Sequence, residues 1–206
     1  MCSLKMRIKY PKLRELKEAV RALVKGPYTS KFPYQPHTPF ERFRGKTEFH
    51  KDDCIGCGAC YEVCPAGAID MQDVKDKRIL TVRWDLCIFC GQCQANCLTE
   101  KGIMLSNEFD LSTTEKRTVL SQTIEKELVV CEGCNEVIAP RDQIIWVAKK
   151  IGPLSFSNAS LMLFYLKELS LADVDLELLK EKPTLIRSDR IKILCPKCRR
   201  EAVLKS

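Results

Sequence analysis

The sequence predicts an α+β chain in three parts: an N-terminal helix and extended arm over residues 1–45, a duplicated cysteine-rich domain over 46–112, and a second cysteine-bearing module with a helical insertion over 113–206. Three observations predict it. Cys54, Cys57, Cys60 and Cys64 form C-x2-C-x2-C-x3-C, and Cys87, Cys90, Cys93 and Cys97 repeat that pattern with every cysteine displaced by 33 residues. Two further C-x2-C pairs, Cys131/Cys134 and Cys195/Cys198, lie downstream. An apolar face of helical period over 11–25 runs into a stretch rich in proline and aromatic residues.

Composition narrows the class before any motif is read. The chain has 206 residues, 45% hydrophobic and 30% charged, which excludes global disorder. Thirteen cysteines is an odd number, too many for an ordinary reducing-compartment protein unless they bind metal. Residues 1–9 contain no apolar h-region, so no signal peptide is expected. No run approaches the ~18 apolar residues of a membrane span, and the expected chain is soluble or peripheral.

The first element is a helix over 11–25. Leu13, Leu16, Val20, Leu23 and Val24 fall on one face, Lys12, Arg14, Lys17 and Arg21 on the other, and Gly26-Pro27 ends it. The arm that follows holds Pro27, Pro33, Pro36 and Pro39 among Tyr28, Phe32, Tyr34 and Phe40. Proline density makes it extended, and the aromatics suit it to lie along another subunit. We therefore read the helix and arm as a docking element.

The duplicated domain follows. Cys54-Ile55-Gly56-Cys57-Gly58 aligns with Cys87-Ile88-Phe89-Cys90-Gly91, and Asp52 with Asp85, so the repeat extends beyond the ligands and implies pseudo-two-fold symmetry. Three cysteines at this spacing wrap a tight loop around one iron–sulfur cubane and leave one iron without a ligand. In the bacterial two-cluster pattern the fourth cysteine serves the other cluster. The expected assignment is Cys54, Cys57, Cys60 and Cys97 to the first [4Fe–4S] cluster, and Cys87, Cys90, Cys93 and Cys64 to the second. Glycines 56, 58 and 91 let the backbone approach sulfide and adopt positive φ. Each repeat fits a ferredoxin-like half. Residues 78–84 read as a strand, 67–72 as its hairpin partner with a turn near 75–77, and short helices are expected to follow Cys60 and Cys93. Pro65 follows Cys64, whereas Leu98 follows Cys97 in a stretch one residue longer. Leu98 restores a backbone N–H that proline lacks, and the expected result is a retuned second cluster.

In the third part, Cys131, Cys134, Cys195 and Cys198 suffice for one tetrahedral tetrathiolate site, taken by zinc or by rubredoxin-like iron. Asn135 suits the left-handed turn that such a knuckle favours. The long gap between the pairs is expected to hold a helix over 157–171, capped at Ser157 or Asn158, and a second over 172–181. His37 and His50 are not needed as ligands, and Cys2 is left as a terminal thiol. No nucleophile triad, phosphate loop or dinucleotide fingerprint is present, so the chain is expected to have no catalytic centre of its own.

The formal charge of +7 treats every thiol as neutral. Two clusters and one zinc tetrathiolate, each near −2, would bring the chain to about +1. The excess of Lys and Arg then compensates metal centres, and it argues weakly for a zinc-ribbon protein that binds nucleic acid.

Phe43-Arg44-Gly45-Lys46, the motif Cys54-Ile55-Gly56-Cys57-Gly58-Ala59-Cys60 and Cys64-Pro65-Ala66-Gly67-Ala68-Ile69 resemble the two-cluster ferredoxin subunit of respiratory complex I. Cys87-Ile88-Phe89-Cys90-Gly91-Gln92-Cys93, Leu105-Ser106-Asn107-Glu108-Phe109-Asp110-Leu111 and the C-terminal knuckles are similar to the ferredoxin-type subunit of formate-hydrogenlyase-type, energy-converting [NiFe]-hydrogenases. The resemblance implies a bacterial-type two-cluster ferredoxin fold and an electron relay between an input module, a ferredoxin or formate dehydrogenase, and the small and large hydrogenase subunits. It also implies a peripheral position on the cytoplasmic face of the membrane. The equivalent subunit of a complex I-like dehydrogenase is the alternative.

Overall fold

The computed structural model describes residues 12–26, 29–171 and 192–204. The chain divides into two compact units, Met1–Glu41 and Arg42–Ser206.

In the first unit, helix α1 spans Leu13–Lys25. The Glu15 carboxylate accepts the Lys12 N–H at 3.1 Å, and Gly26, at φ +80°, closes the helix by donating to Ala22 O. The apolar stripe is left bare: Leu13 is 86% and Leu23 85% exposed. The arm is not extended throughout, because the Gln35 N–H returns to Lys31 O at 3.0 Å and makes a turn.

The second unit begins with β1, Thr47–Phe49, which pairs antiparallel with β4, Ile103–Leu105. Between them lie helix α2, Ala59–Glu62, strands β2, Ile69–Val74, and β3, Lys77–Arg83, and helix α3, Gln92–Ala95. β2 and β3 form a hairpin through a two-residue turn, Lys75-Asp76, with Lys75 in the left-handed region. β5, Ser121–Val130, then adds to β3, and β6, Val137–Pro140, adds to β5, in the order β2-β3-β5-β6. One sheet thus runs from the duplicated domain into the C-terminal residues. Helices α4, Arg141–Ile151, α5, Ala159–Glu168, and α6, Pro196–Leu204, complete the unit.

The expected helix over 157–171 is shorter than its periodicity suggests. Asn158 is its cap, with Oδ1 accepting from the N–H groups of Ser160 and Leu161, and Ser170 at φ +54° takes the chain out of it. The expected helix over 172–181 lies outside the described residues.

The main core packs Phe49, Ile69, Leu80, Val82, Ile103 and Ile124 around the sulfurs of Cys54, Cys60 and Cys93. Burying each such aliphatic side chain is worth roughly 1.5–3 kcal/mol. A second core joins Leu163, Phe164 and Ile193 to Ile144 and Ile145 of α4. Among the described residues no helix is long and apolar enough to cross a membrane.

Candidate metal centres

The duplication is visible in the backbone. Gly58 (φ +80°, ψ 0°) precedes α2 and Gly91 (φ +80°, ψ +5°) precedes α3, so both short helices start from the same left-handed turn. Gly56 at φ +70° is matched by Phe89 at φ +52°, its equivalent in the second motif. These turns aim three thiols of each motif at one point and leave the fourth, beyond the short helix, facing the other motif.

Two cavities result. One is lined by Cys54, Cys57, Cys60 and Cys97 with Phe49, Leu80 and Ile103; the other by Cys64, Cys87, Cys90 and Cys93 with Ala68, Ile69 and Val82. Four thiols on an apolar wall is the donor set a cubane requires, and in each cavity the fourth comes from the opposite motif. Leu98 lines the first cavity, not the second. The expectation that its departure from proline bears on the second centre is corrected, because Cys97, Leu98 and Thr99 all line the cavity of the first motif.

Hydrogen bonds reach the sulfurs unequally. Ala68 N–H donates to Cys64 Sγ at 3.3 Å and Phe89 N–H to Cys87 Sγ at 3.4 Å, while the buried Thr47 hydroxyl lies 3.6 Å from Cys87 Sγ. Thr47 is held by Trp84, whose Nε1–H donates to Thr47 O at 2.7 Å, and Lys46 stands 4.8 Å over the Trp84 ring. At Cys97, the Thr99 hydroxyl is 3.4 Å from Sγ and accepts the Gly102 N–H at 3.1 Å. Its hydroxyl hydrogen remains available to a deprotonated Cys97 sulfur, which has no proton of its own to give. Gly102 is required here, since a Cβ would lie 2.9 Å from Thr99 Oγ1 and 3.2 Å from Cys97 Sγ.

The electrostatics follow. Burial, then the neighbouring thiols, push Cys60 up to about 12, and burial pushes Cys93 up to about 11. Burial also raises Cys54, against the Gly56 N–H and the Lys126 ammonium. At Cys97 burial is outweighed by the Thr99 hydroxyl and the N–H groups of Thr99, Gly102 and Ile103, so this thiol falls below the usual range. Burial thus favours the protonated form of Cys54, Cys60 and Cys93, and a metal centre bound there would displace those protons.

The first loop is also flanked by two cations that sequence reading missed. Arg78 Nη1 donates to Gly56 O at 3.1 Å while its fork grips Asp73 through Nε and Nη2. Lys126 stands against the same glycine from β5. In β5 the alternation places Lys126 on the inward face with Ile124 and Leu128, a side that only the pairing with β3 fixes.

The third group is compact. The sulfurs of Cys131, Cys134, Cys195 and Cys198 all lie within 4.8 Å of one another, and Cys134 Sγ is 3.7 Å from Cys195 Sγ. Tetrahedral ligands at ~2.3 Å from an ion stand about 3.8 Å apart, so the set fits a single metal. Asn135 at φ +58° returns its N–H to Cys131 O. Glu132 ties the knuckles together: its N–H donates to Ile193 O, and its carboxylate accepts the Ile193 N–H and pairs with Lys167. Burial acts against ionising Cys131, but the N–H groups of Cys195, Gly133 and Cys134 outweigh it and bring this thiol down to about 7. Lys167 from within the long gap and Ile193 from its end thus meet at Glu132.

Residues 53–101 match the family described as the 4Fe-4S dicluster domain. Over 122 residues the chain is 34% identical to formate hydrogenlyase subunit 6 of Escherichia coli, covering 58% of this chain and 66% of that protein. It is 34% identical over 114 residues to the chloroplastic NAD(P)H-quinone oxidoreductase subunit I of Phoenix dactylifera, covering 47% of this chain and 67% of that one. It is 33% identical over 97 residues to the same subunit of Gloeobacter violaceus, covering 44% and 46%. The chain spans about half the length of several curated relatives it matches, 46% and 53% in two cases.

Proposed function

The chain belongs to the family of iron–sulfur subunits that includes formate hydrogenlyase subunit 6 and NAD(P)H-quinone oxidoreductase subunit I, and we propose that it is the electron relay of a membrane-associated, formate-hydrogenlyase-type hydrogenase complex. Cys54, Cys57, Cys60 and Cys97 would hold one [4Fe–4S] cluster, and Cys87, Cys90, Cys93 and Cys64 the other. When bound, such clusters supply reversible one-electron exchange without bond chemistry on the protein.

The observation that carries this reading is the pair of thiol-lined cavities, each completed by a cysteine of the opposite motif. The chain's own residues supply the rest. Apolar walls exclude water, N–H groups and the Thr47 and Thr99 hydroxyls lie against ligand sulfurs, and buried cations offset negative charge. At the third site Cys131, Cys134, Cys195 and Cys198 would hold zinc, which is redox-silent and would pin β5 to α6; rubredoxin-like iron is the alternative. The exposed stripe of α1 would dock on another subunit on the cytoplasmic face, beside the small and large hydrogenase subunits and a ferredoxin or formate dehydrogenase input module.

A complex I-like dehydrogenase is the second reading. The alignment with formate hydrogenlyase subunit 6 is the longer, 122 residues against 97 and 114, and favours the first. Cys87→Ala tests the relay within the assembled complex. The subunits should remain bound and electron flow from the input module should stop; undiminished flow would overturn the relay.

A further inference from the structure

Lys126 is a charge at a position where its strand calls for an apolar residue. In β5 the buried face runs Ile124, Lys126, Leu128, and the lysine side chain is only 9% exposed. Its stem lies under the first cysteine loop: a Cβ built on Gly56 would be 3.1 Å from both Lys126 Cβ and Cγ. Its ammonium donates to Lys51 O at 2.6 Å and to Asp142 Oδ2 at 2.7 Å, so both ends of the side chain are fixed. Asp142 lies in the first turn of α4 and is itself 42% exposed.

A buried charge is costly to keep and gains little for stability over an apolar replacement. What it does provide is a fixed positive potential. One-electron reduction of a centre held by the Cys54 loop adds one unit of negative charge and needs no proton. A cation held within the low-dielectric surroundings of that loop favours the added electron; a carboxylate paired with the cation subtracts from the effect. The second loop receives a different partner, Arg44 Nη1 donating to Cys90 O at 3.0 Å, so a charge change at Lys126 is addressed to one cavity.

We propose that Lys126 raises the reduction potential of the centre held by Cys54, Cys57, Cys60 and Cys97, and that Asp142 moderates it from α4. This deepens the relay reading and rests on it. The lysine acts as a positioning residue, through its charge at the Cys54–Cys57 loop, and touches no reacting atom. It also makes the C-terminal residues part of the redox device, since both β5 and α4 come from beyond the cysteine repeats.

The test is a redox titration followed by electron paramagnetic resonance on the anaerobically prepared full chain with both clusters, the signals being assigned by loss of one in Cys87→Ala. Lys126→Met should lower the potential of the signal that survives in Cys87→Ala and leave the other in place. Asp142→Asn should raise that same potential. Lys126→Arg, which keeps the charge, should shift it by less than half as much as Lys126→Met. Two intact signals with unmoved potentials in Lys126→Met overturn the proposal alone, as does an equal shift of both, or an equal shift in Lys126→Arg. If Lys126→Met does not fold, Asp142→Asn decides, and a fixed or lowered potential there refutes the proposal. Absence of cubane signals from the unsubstituted chain would instead sink the relay reading itself.

Discussion

Gly45→Ala should unlatch the β1–β4 ribbon, which contributes Phe49 and Ile103 to the first cavity and Thr47 to the second. Gly45 does not sit in the left-handed region; its constraint is space. A Cβ there would lie 2.3 Å from Glu108 O and 2.6 Å from Ser106 O, both backbone atoms that cannot swing aside. Those carbonyls accept the N–H groups of Lys46 and Gly45 at 2.8 and 2.9 Å, the bonds that continue the β1–β4 pairing. Separating the strands exchanges two backbone bonds for water at ~1 kcal/mol each. Residual crowding adds ~1 kcal/mol, and alanine's lower unfolded-state entropy returns ~0.7 kcal/mol. The net loss is about 2 kcal/mol. Gly67→Ala is the control: Gly67 lies at φ +58° with nothing within 4 Å of a built Cβ, so only left-handed strain opposes the same entropic gain. Its net cost is below ~1 kcal/mol. For a domain of this size 1 kcal/mol moves the melting temperature by roughly 2–4 °C. In anaerobic melts followed by circular dichroism at one scan rate, Gly45→Ala should fall about 4–8 °C and Gly67→Ala less than about 4 °C. A Gly67→Ala loss equal to or greater than that of Gly45→Ala would refute the reasoning.

Other substitutions probe the centres directly. Cys64→Ala should damage the cluster held by Cys87, Cys90 and Cys93, read as loss of the same signal that Cys87→Ala removes; loss of the other signal contradicts the crossed arrangement. Thr99→Val removes the hydroxyl beside Cys97 Sγ and should lower the potential of the first cluster, while Thr99→Ser should restore it; an unchanged Thr99→Val titration shows that the hydroxyl does not reach the sulfur. Cys195→Ser should cost the chain one metal ion and lower its melting temperature with both cubane signals retained; an undiminished metal count would place that ion elsewhere. Leu16→Glu with Val20→Glu should leave metal content intact and weaken association with partner subunits more than tenfold, since both side chains are half exposed on the bare stripe of α1; unchanged association removes α1 from the interface.

What could be read in advance was whatever recurs in the chain. The 33-residue displacement located both loops, because a duplicated motif repeats its turns, down to Phe89 taking the positive φ of Gly56; the two short helices start one residue before Cys60 and Cys93 and not after them, since the left-handed Gly58 and Gly91 already turn the chain into the helix. Asn135 and Asn158 were legible because each does one local job, a left-handed turn and a helix cap. β5, β6 and α4 were not anticipated. β5 carries Glu125, Lys126 and Glu127 in a row, and the run reads as solvated until its pairing with β3 fixes which side faces in. Leu98 was read with the second motif, yet it lines the cavity of the first with its neighbour Cys97, so sequence adjacency and spatial adjacency part company there.

The most direct test is a count of iron, acid-labile sulfide and zinc on the anaerobically prepared chain, joined to its paramagnetic resonance spectrum after reduction. The account predicts about eight iron atoms and about eight sulfides in two cubanes, with one further ion at the tetracysteine group. A colourless chain, or one that holds a single cubane, would contradict it.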